Sequence, residues 1–513
     1  MSLLLADSPE AEGVRSAALA DFVDRFFALR WTHGLVVLRH GRVVAECYRE
    51  HCSPADRHQL FSLSKSFASS AVGIALGEGL IPSLDAPLVS FFPEYDSPRV
   101  APRMRRVTLR HLLTMSMGRA SCGFWGDRYK RLHDSFAAES GSDMRAVAER
   151  FASGREHFAD GRPLVQNLLE EELAFEPGTR FEYNTAATYL AGAVVQKAAG
   201  ATLADYLRDR LFRPLGIADD AVWDRTVDGL DWGGIGLNLT VREIAAAGRL
   251  WMAGGVLPGG RRLIPASYME QATAKQIGND GPGRAVDWCQ GYGFQFWRCQ
   301  HGAFRADGAS GQICVMMPGS DLVVAATAGL SNMQRELDVV WDHLLPALAD
   351  APLPADPAGL ARLREAENSQ VFDLGPDGAP DSAACPPGPP LRFRCQPNPW
   401  GLTAASLSQD SGGVALELVF GDGCADVLRA GFAAPRKSVV RRVMQGHAYE
   451  LVAKAAWSPD RALRLCGVLP RSTWKLDLTV DLPARTLVVD TENWFAHPWL
   501  ANGRVALQPE ARP

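Results

Sequence analysis

Ser62 and Lys65 lie three residues apart and can together form a nucleophile without a histidine. A serine hydroxyl is a weak nucleophile until a base removes its proton, and a lysine amine can be that base. Residues 68–80 carry apolar side chains at helical spacing, so we predict that Ser62 opens a helix. Positions i and i+3 share one helix face, which would bring the two side chains together. The positive end of the helix dipole would then stabilise a developing oxyanion.

The S-x-x-K spacing occurs twice, so the pair alone is not specific. Ser472 and Lys475 form the second match. The residues after it, 476–482, alternate apolar and polar side chains, which predicts a strand. Side chains at i and i+3 of a strand point to opposite faces, so Ser472 and Lys475 cannot act together. The helical context therefore favours Ser62, with chance occurrence of the motif as the alternative.

Tyr183 is a candidate proton carrier in the segment 177–192, where a Pro-Gly turn leads through a loop into a predicted helix. A tyrosine near a lysine ammonium has its phenolate favoured and can act as a general base. In isolation, a half-buried tyrosine with a hydrogen-bonded hydroxyl explains the segment better.

A third segment, residues 304–312, places Asp307, Gly308 and Ala309 just before a predicted strand. Glycine beside a strand permits a backbone or a ligand to approach closely, and main-chain N–H groups there can receive an oxyanion. A plain turn between two strands is the simpler interpretation of this segment alone.

The composition is typical of a soluble globular protein. The chain has 513 residues, of which 47% are hydrophobic and 22% charged, and its net charge is −5. This length predicts two or more domains, and the interspersed charges argue against a nucleic-acid surface. No apolar run is long enough to span a membrane, and residues 1–7 lack the basic region of a signal peptide. We expect a cytoplasmic protein with neither nucleic acid nor membrane as a partner.

The ten cysteines and eleven histidines show no spacing typical of a metal or redox site. Small buried side chains in a reducing compartment explain the cysteines better than a metal or redox site does. We therefore expect no metal and no cofactor.

Strand patterns at both ends of the first 350 residues flank a helical middle, which predicts an α+β domain. The segment 34–48 predicts a hairpin, and residues 109–174 are mainly helical in pattern. Later segments predict strands over 292–297, 312–317 and 322–327, and an amphipathic helix over 332–349.

A change in composition divides the chain after this domain. Residues 351–390 include stretches rich in proline, alanine and glycine, which predict a linker between a domain over 1–350 and a second domain over 391–513. Short alternating runs separated by turn residues predict that the second domain is all-β, a small barrel or sandwich.

Five segments in order resemble the serine β-lactamase and penicillin-binding-protein superfamily. Within it, the class C-related esterase and 6-aminohexanoate-oligomer hydrolase branch is the most similar, and the resemblance covers roughly the first 350 residues. The segments are 62–67, 108–116, 177–192, 234–240 and 306–309. The resemblance implies a β-lactamase/transpeptidase-like domain, in which helices and an all-helical region accompany an antiparallel sheet. The C-terminal strand pattern resembles the lipocalin-like barrels that some members carry.

The resemblance also implies site roles. Ser62 would form an acyl-enzyme, Lys65 and Tyr183 would accept its proton, and the N–H groups of Ser62 and Ala309 would form the oxyanion hole. The implied function is a serine hydrolase that cleaves a carboxylic ester or amide in a small molecule or short peptide.

Two departures from the family pattern bear on the substrate. The third residue of the tyrosine motif is Thr185, preceded by Asn184, and Ala306 replaces the cationic residue that helps penicillin-recognising members hold a carboxylate. Arg305 is adjacent, but strand alternation directs it to the other face. These departures favour esters or amides other than penicillins.

The substrate pocket and several functions stay open. Candidate substrate-binding residues are Trp125, Thr185, Asp307 and Gly308. Aromatic residues in 117–175, Trp125 among them, either line an acyl pocket or, the favoured alternative, form the core of a helical subdomain. A β-lactamase or D,D-peptidase, an acyltransferase or peptide cyclase, and a non-catalytic binding protein of the same fold remain alternatives. Neither the oligomeric state nor the role of the C-terminal domain follows from the sequence.

Overall fold

The computed structural model describes residues 3–120, 162–226, 228–281, 283–386, 388–398, 400–441, 448–490 and 503–509. The described residues up to position 371 form one unit, and those from position 372 onward form a second. The first unit combines helices with an antiparallel sheet, and the second is built of strands. The predicted α+β domain followed by an all-β domain is confirmed.

A six-stranded antiparallel sheet forms the centre of the first unit. Its strands are β1 (Thr32–Arg39), β2 (Arg42–Tyr48), β5 (Trp297–Arg298), β6 (Phe304–Gly308), β7 (Gln312–Met317) and β8 (Leu322–Ala328), and a separate pair is formed by β3 (His58–Gln59) and β4 (Asn238–Leu239). The order in the sheet is β2-β1-β8-β7-β6-β5. Because β1 pairs with β8, the sheet joins segments from the start and the end of this unit.

The hairpin predicted over 34–48 is present as β1 and β2. His40 and Gly41, which connect the strands, have φ angles of +49° and +71°. Two successive residues in the left-handed region match the twist of a tight hairpin, and glycine adopts this region without steric cost.

Helices cover both faces of the six-stranded sheet. They are α1 (Ser16–Phe27), α2 (Ser64–Gly77), α3 (Leu109–Leu113), α4 (Leu164–Leu169), α5 (Thr185–Ala199), α6 (Leu203–Leu207), α7 (Arg213–Leu215), α8 (Val241–Met252), α9 (Ala266–Thr273), α10 (Gln334–Val339) and α11 (Pro357–Asn368). Core residues of α1 and α11 pack on one face, and those of α2, α5 and α8 pack on the other. Among the described residues, no helix is both long and apolar enough to cross a membrane.

Buried hydroxyls fix α2 in the core. Ser66 Oγ donates to the Gln295 carbonyl at 2.7 Å, and Ser69 Oγ donates to the Phe294 carbonyl at 2.7 Å. The side chain of Gln295 in turn donates to the carbonyl oxygens of Leu112 and Leu113. These bonds satisfy buried polar groups and tie the helix that follows Ser62 to two other segments.

The strand predicted over 292–297 is wrong for most of its length, since only Trp297 belongs to a strand. Gln295 has a φ of +65°, and the Gly293 N–H donates to the Phe296 carbonyl at 2.8 Å. The chain therefore turns at Gln295, and the aromatic side chains that suggested a strand pack in the core around this turn.

The helix predicted over 332–349 is present but irregular. It contains α10, followed by a π-helical turn, Val340–Leu344, and a short 3₁₀ turn, Leu345–Ala347.

The first part of the predicted linker belongs to the first unit. Helix α11 lies within residues 351–390, and its Leu363 is fully buried in the same core cluster as Phe22 of α1. Asp356 caps the helix by accepting a hydrogen bond from the Gly359 N–H at 2.9 Å. The proline-rich composition concealed this helix, because Pro357 occupies its first turn, where proline is tolerated.

The second unit is a closed barrel. Its strands are β9 (Leu391–Cys395), β10 (Leu402–Asp410), β11 (Gly413–Phe420), β12 (Ala425–Gly431), β13 (Arg436–Val440), β14 (Tyr449–Trp457), β15 (Ala462–Val468), β16 (Lys475–Asp481), β17 (Thr486–Asp490) and β18 (Gly503–Pro509). Nine of the described strands close in the order β12-β11-β10-β9-β18-β17-β16-β15-β14 through a bridge between Gly431 and Lys454, and β13 also pairs with β14. Lys475 lies in β16, so the second S-x-x-K match has the predicted strand context.

Candidate active site

Ser62 lies in a single 3₁₀ turn, Phe61–Leu63, directly before α2. The residue before it, Phe61, has a φ of +46°, in the left-handed region that bulky side chains rarely adopt. Such a conformation costs of order 1–3 kcal/mol and persists only where the surroundings enforce it. The strained turn presents Ser62 at the N-terminal end of the helix, as predicted from the sequence.

Lys65 is the centre of a small polar cluster. Its side chain is 1% exposed, and its Nζ lies 3.1 Å from Ser62 Oγ, 3.1 Å from Thr185 Oγ1 and 2.8 Å from the Gly234 carbonyl oxygen. The structure therefore brings together the predicted residues Ser62, Lys65 and Thr185. The Gly234 carbonyl was missed, because a backbone acceptor leaves no residue-type signal in a sequence.

Burial strongly affects the ionisation of Lys65. Removal from water disfavours the ammonium and lowers the pKa of Lys65 to about 7, although the nearby Asp307 carboxylate acts in the opposite direction. A substantial fraction of the amine is therefore neutral at physiological pH. A neutral amine has a lone pair, so Lys65 can accept the proton of Ser62 across the 3.1 Å contact.

Tyr183 lies in the loop before α5, beside both members of the pair. Lys65 Nζ is 5.2 Å from the centre of the Tyr183 ring, and the ring stacks on Trp297 at 5.3 Å with an interplanar angle of 27°. Burial and the Asp307 carboxylate raise the pKa of Tyr183, against the smaller opposing effect of its interaction with Ser62. The phenol thus stays protonated near neutral pH, contrary to the expectation of a favoured phenolate.

Asn184 and Thr185, the two residues that follow Tyr183 in the altered motif, have different functions in the structure. Asn184 caps α5, since its Oδ1 accepts a hydrogen bond from the Ala187 N–H at 2.8 Å. Thr185 supplies the hydroxyl that contacts Lys65. A methyl group on Gly234 would lie 2.6 Å from Thr185 Cγ2, so the absent side chain allows Gly234 to approach this cluster.

Strand β6 packs directly against the turn that contains Ser62. A Cβ on Gly308 would lie 2.0 Å from the Leu60 carbonyl oxygen and 3.1 Å from the Leu63 nitrogen, so only glycine fits. Ala309 follows at the end of the strand and is partly exposed. The predicted segment 306–309 is therefore adjacent to Ser62, with the close backbone approach that the glycine suggested.

Asp307 and Arg305 form a buried ion pair on one face of β6. Arg305 Nε donates to Asp307 Oδ2 at 2.8 Å, and both side chains are almost inaccessible to solvent. Burial raises the pKa of Asp307, whereas Arg305, Lys65 and Trp297 lower it. Arg305 is therefore committed to Asp307 and does not replace the cation absent at Ala306, as strand alternation predicted.

Trp125, which the sequence suggests as a substrate-binding residue, lies outside the described residues. In the described ranges, no group of three or more histidine, cysteine, aspartate or glutamate side chains could hold a metal ion.

Comparisons with known proteins identify similar sequences and structures. A family model described as Beta-lactamase matches residues 19–345. A 6-aminohexanoate-dimer hydrolase from Paenarthrobacter ureafaciens is 28% identical over 249 residues, which cover 47% of this chain and 57% of that protein. Esterase EstB from Burkholderia gladioli is 31% identical over 234 residues, 41% of this chain and 53% of that protein. The chain thus spans only about half the length of these curated relatives.

Among solved structures, an octameric penicillin-binding protein homologue from Pyrococcus abyssi aligns with 96% of this chain and 99% of its own, at 15% identity and a TM-score of 0.45.

Proposed function

Because the chain belongs to the Beta-lactamase family, we propose that it is a serine hydrolase that cleaves a carboxylic ester or amide through an acyl-enzyme on Ser62. The observation that carries the proposal is the 3.1 Å contact between Lys65 Nζ and Ser62 Oγ. The buried amine has a pKa of about 7, which suits a general base at neutral pH.

In the acylation step, Ser62 Oγ attacks the substrate carbonyl carbon while its proton passes to neutral Lys65. The carbonyl oxygen becomes an oxyanion, which the N–H groups of Ser62 and Ala309 receive. The close packing of Gly308 on the Leu60 carbonyl supports this placement, since it holds the two segments together. Fixed donors at the position of developing charge lower the barrier without reorganisation.

Collapse of the tetrahedral intermediate breaks the bond to the leaving group. The protonated phenol of Tyr183 donates its proton to the leaving oxygen or nitrogen and regains one from the Lys65 ammonium. A water molecule then attacks the acyl-enzyme, gives its proton to the same pair, and the carboxylic acid leaves as Ser62 recovers its proton. The raised pKa of Tyr183 supports its role as an acid in this scheme.

The side chains around the pair favour substrates other than penicillins. Ala306 supplies no cation, and Arg305 is buried against Asp307. At these two positions, a carboxylate beside the scissile bond would therefore find no free cationic side chain. The names of the relatives, an esterase and a hydrolase of an amide dimer, support esters and linear amides as the classes to test first.

Burst kinetics with p-nitrophenyl acetate test the proposal. The wild-type protein should release about one equivalent of p-nitrophenol per chain before steady turnover, and a fluorophosphonate probe should label it covalently. Ser62→Ala should abolish both. Ser472→Ala, in the other S-x-x-K match, is the matched control and should leave both unchanged. Turnover or labelling that survives in Ser62→Ala would show that another residue is the nucleophile.

A further inference from the structure

The turn that connects β6 and β7 adopts a conformation that its sequence does not favour. Gly308 pairs with Gln312 across the hairpin, so Ala309, Ser310 and Gly311 form the connection. Ser310 has a φ of +65° and Gly311 a φ of +89°. Glycine accepts this region freely, whereas the Cβ of a left-handed serine crowds the backbone and makes the conformation unfavourable. Contacts from outside the turn must therefore hold it in place.

Gln312 supplies two of these contacts. Its Nε2 donates to the Ala309 carbonyl at 3.2 Å and to the Ala328 carbonyl at 2.7 Å. The first bond fixes the turn itself, and the second ties it to the end of β8. A third contact, from the Leu330 N–H to the Ser310 carbonyl at 2.9 Å, holds the next peptide.

Packing alone does not explain a glutamine at this position. Gln312 is fully buried, and in the described part of the chain its Oε1 has no hydrogen-bond partner. Leaving a buried acceptor unpaired is destabilising, because the acceptor loses its hydrogen bonds to water and gains none in the protein. Exchanging the two amide atoms would place Oε1 against two carbonyl oxygens, so the hydrogen bonds determine the orientation. Gln312 thus provides two N–H donors to the carbonyls of Ala309 and Ala328, although its unpaired oxygen is destabilising in a way that an apolar side chain would avoid.

These contacts converge on the residue whose N–H would bind the oxyanion. On its N-terminal side, Gly308 is pressed against the Leu60 carbonyl. On its C-terminal side, the Ala309 carbonyl is held by Gln312. With both ends fixed, the direction of the Ala309 N–H is determined relative to the Ser62 turn.

We propose that Gln312 is a positioning residue, which orients the Ala309 N–H for oxyanion binding through its hydrogen bond to the Ala309 carbonyl. The proposal rests on the hydrolase function proposed above. It assigns Gln312 no contact with substrate. A misplacement of about 1 Å at such a site can lower a rate by about a hundredfold, so loss of this hydrogen bond should affect catalysis more than substrate binding.

Gln312→Met tests the proposal, because methionine has a similar length but no N–H donors. Cys314→Ala is the matched control, since Cys314 is buried on the same strand and the same sheet face. For each variant, kcat and KM for p-nitrophenyl acetate are measured together with inhibition by phenylboronic acid, whose serine adduct mimics the tetrahedral intermediate. Thermal unfolding reports whether each variant folds.

We expect Gln312→Met to lower kcat by about 10- to 100-fold, with KM within about threefold of wild type, because only oxyanion stabilisation is lost. The inhibition constant of phenylboronic acid should rise by a similar factor, while Cys314→Ala stays within about threefold in every constant. If Gln312→Met does not fold, Gln312→Asn takes its place, because the shorter amide cannot reach both carbonyls, and the same changes are expected.

Two results would overturn the positioning role while leaving the hydrolase function intact. One is an unchanged kcat and boronate affinity in a Gln312 variant whose turnover still depends on Ser62. The other is a loss in Cys314→Ala equal to that in Gln312→Met, which would indicate a general core defect. Turnover that persists in Ser62→Ala would instead show that another residue is the nucleophile, and would refute the acyl-enzyme on Ser62 on which the proposal rests.

Discussion

Lys65 and Gly234 are joined by a hydrogen bond of 2.8 Å, from the lysine Nζ to the glycine carbonyl oxygen. A carbonyl oxygen can only accept, so one N–H of Lys65 is always directed at Gly234. In the neutral amine, one N–H and one lone pair then remain for the hydroxyls of Thr185 and Ser62. The bond to Gly234 therefore orients the amine so that its lone pair can face Ser62.

The pH dependence of hydrolysis should follow the ionisation of Lys65. If the neutral amine is the base, kcat/KM for p-nitrophenyl acetate rises as pH increases through about 7, the lowered pKa of Lys65, and then levels off. Asp307 raises this pKa, so Asp307→Asn should shift the rise to lower pH. Asp21→Asn, which removes an exposed carboxylate paired with Arg362, is the control and should leave the profile unchanged. An unshifted profile in Asp307→Asn would contradict the electrostatic coupling.

The dependence on the leaving group should reveal the role of Tyr183. Tyr183→Phe removes the acid but keeps the ring that stacks on Trp297. Loss of a general acid typically costs about 10²- to 10⁴-fold, and we expect this loss for an alkyl ester or an amide, whose leaving group needs a proton. The p-nitrophenolate ion leaves without protonation, so the burst phase with p-nitrophenyl acetate, which reports acylation alone, should be affected much less.

Tyr292→Phe is the matched control for this experiment. Tyr292 contacts the Tyr183 ring edge-on, with centroids 6.2 Å apart, but has no role in the proposed proton transfers. It should retain both activities. Equal losses for the two substrate types in Tyr183→Phe would mean that the phenol does not protonate the leaving group.

Residue types and order predicted which side chains meet at the candidate site, but not their protonation states in the folded protein. Ser62 and Lys65 were identified from one segment and Tyr183 from another, and the structure places the three side chains together. The protonated state of Tyr183 depends on its burial and on Asp307, which only the folded chain brings near it.

The other features that the sequence did not predict depend on backbone groups and tertiary contacts. The carbonyl of Gly234 and the hydrogen bonds of Gln312 leave no pattern in a linear sequence. The turn at Gln295 was concealed by apolar neighbours that resemble a strand but pack into the core around a left-handed residue.

Gly308→Ala should impair the site by steric displacement. The added methyl group would lie 2.0 Å from the Leu60 carbonyl oxygen, a backbone atom that cannot move without shifting the Ser62 turn. We expect kcat for p-nitrophenyl acetate to fall by about a hundredfold or more, the cost typical of a lost oxyanion donor. Gly319→Ala is the control, because a Cβ there meets no atom within 4 Å. A wild-type kcat in Gly308→Ala would show that the packing of Gly308 against Leu60 is not needed for catalysis.

Residues 357–368 form a helix of the first unit, and truncation of its buried leucine tests that placement. Leu363 of α11 is fully buried in a cluster with Phe22 and Val315, whereas Glu365 of the same helix is exposed. Truncation of a buried leucine typically costs about 2–5 kcal/mol, so Leu363→Ala should lower the urea concentration at which half of the p-nitrophenyl acetate activity is lost. Glu365→Ala should change the free energy of unfolding by less than about 0.5 kcal/mol. Only a helix packed into the core can lower the stability of the active site when its leucine is truncated. A urea midpoint for Leu363→Ala equal to that of the wild type would therefore mean that this helix is part of a linker, as its composition suggests.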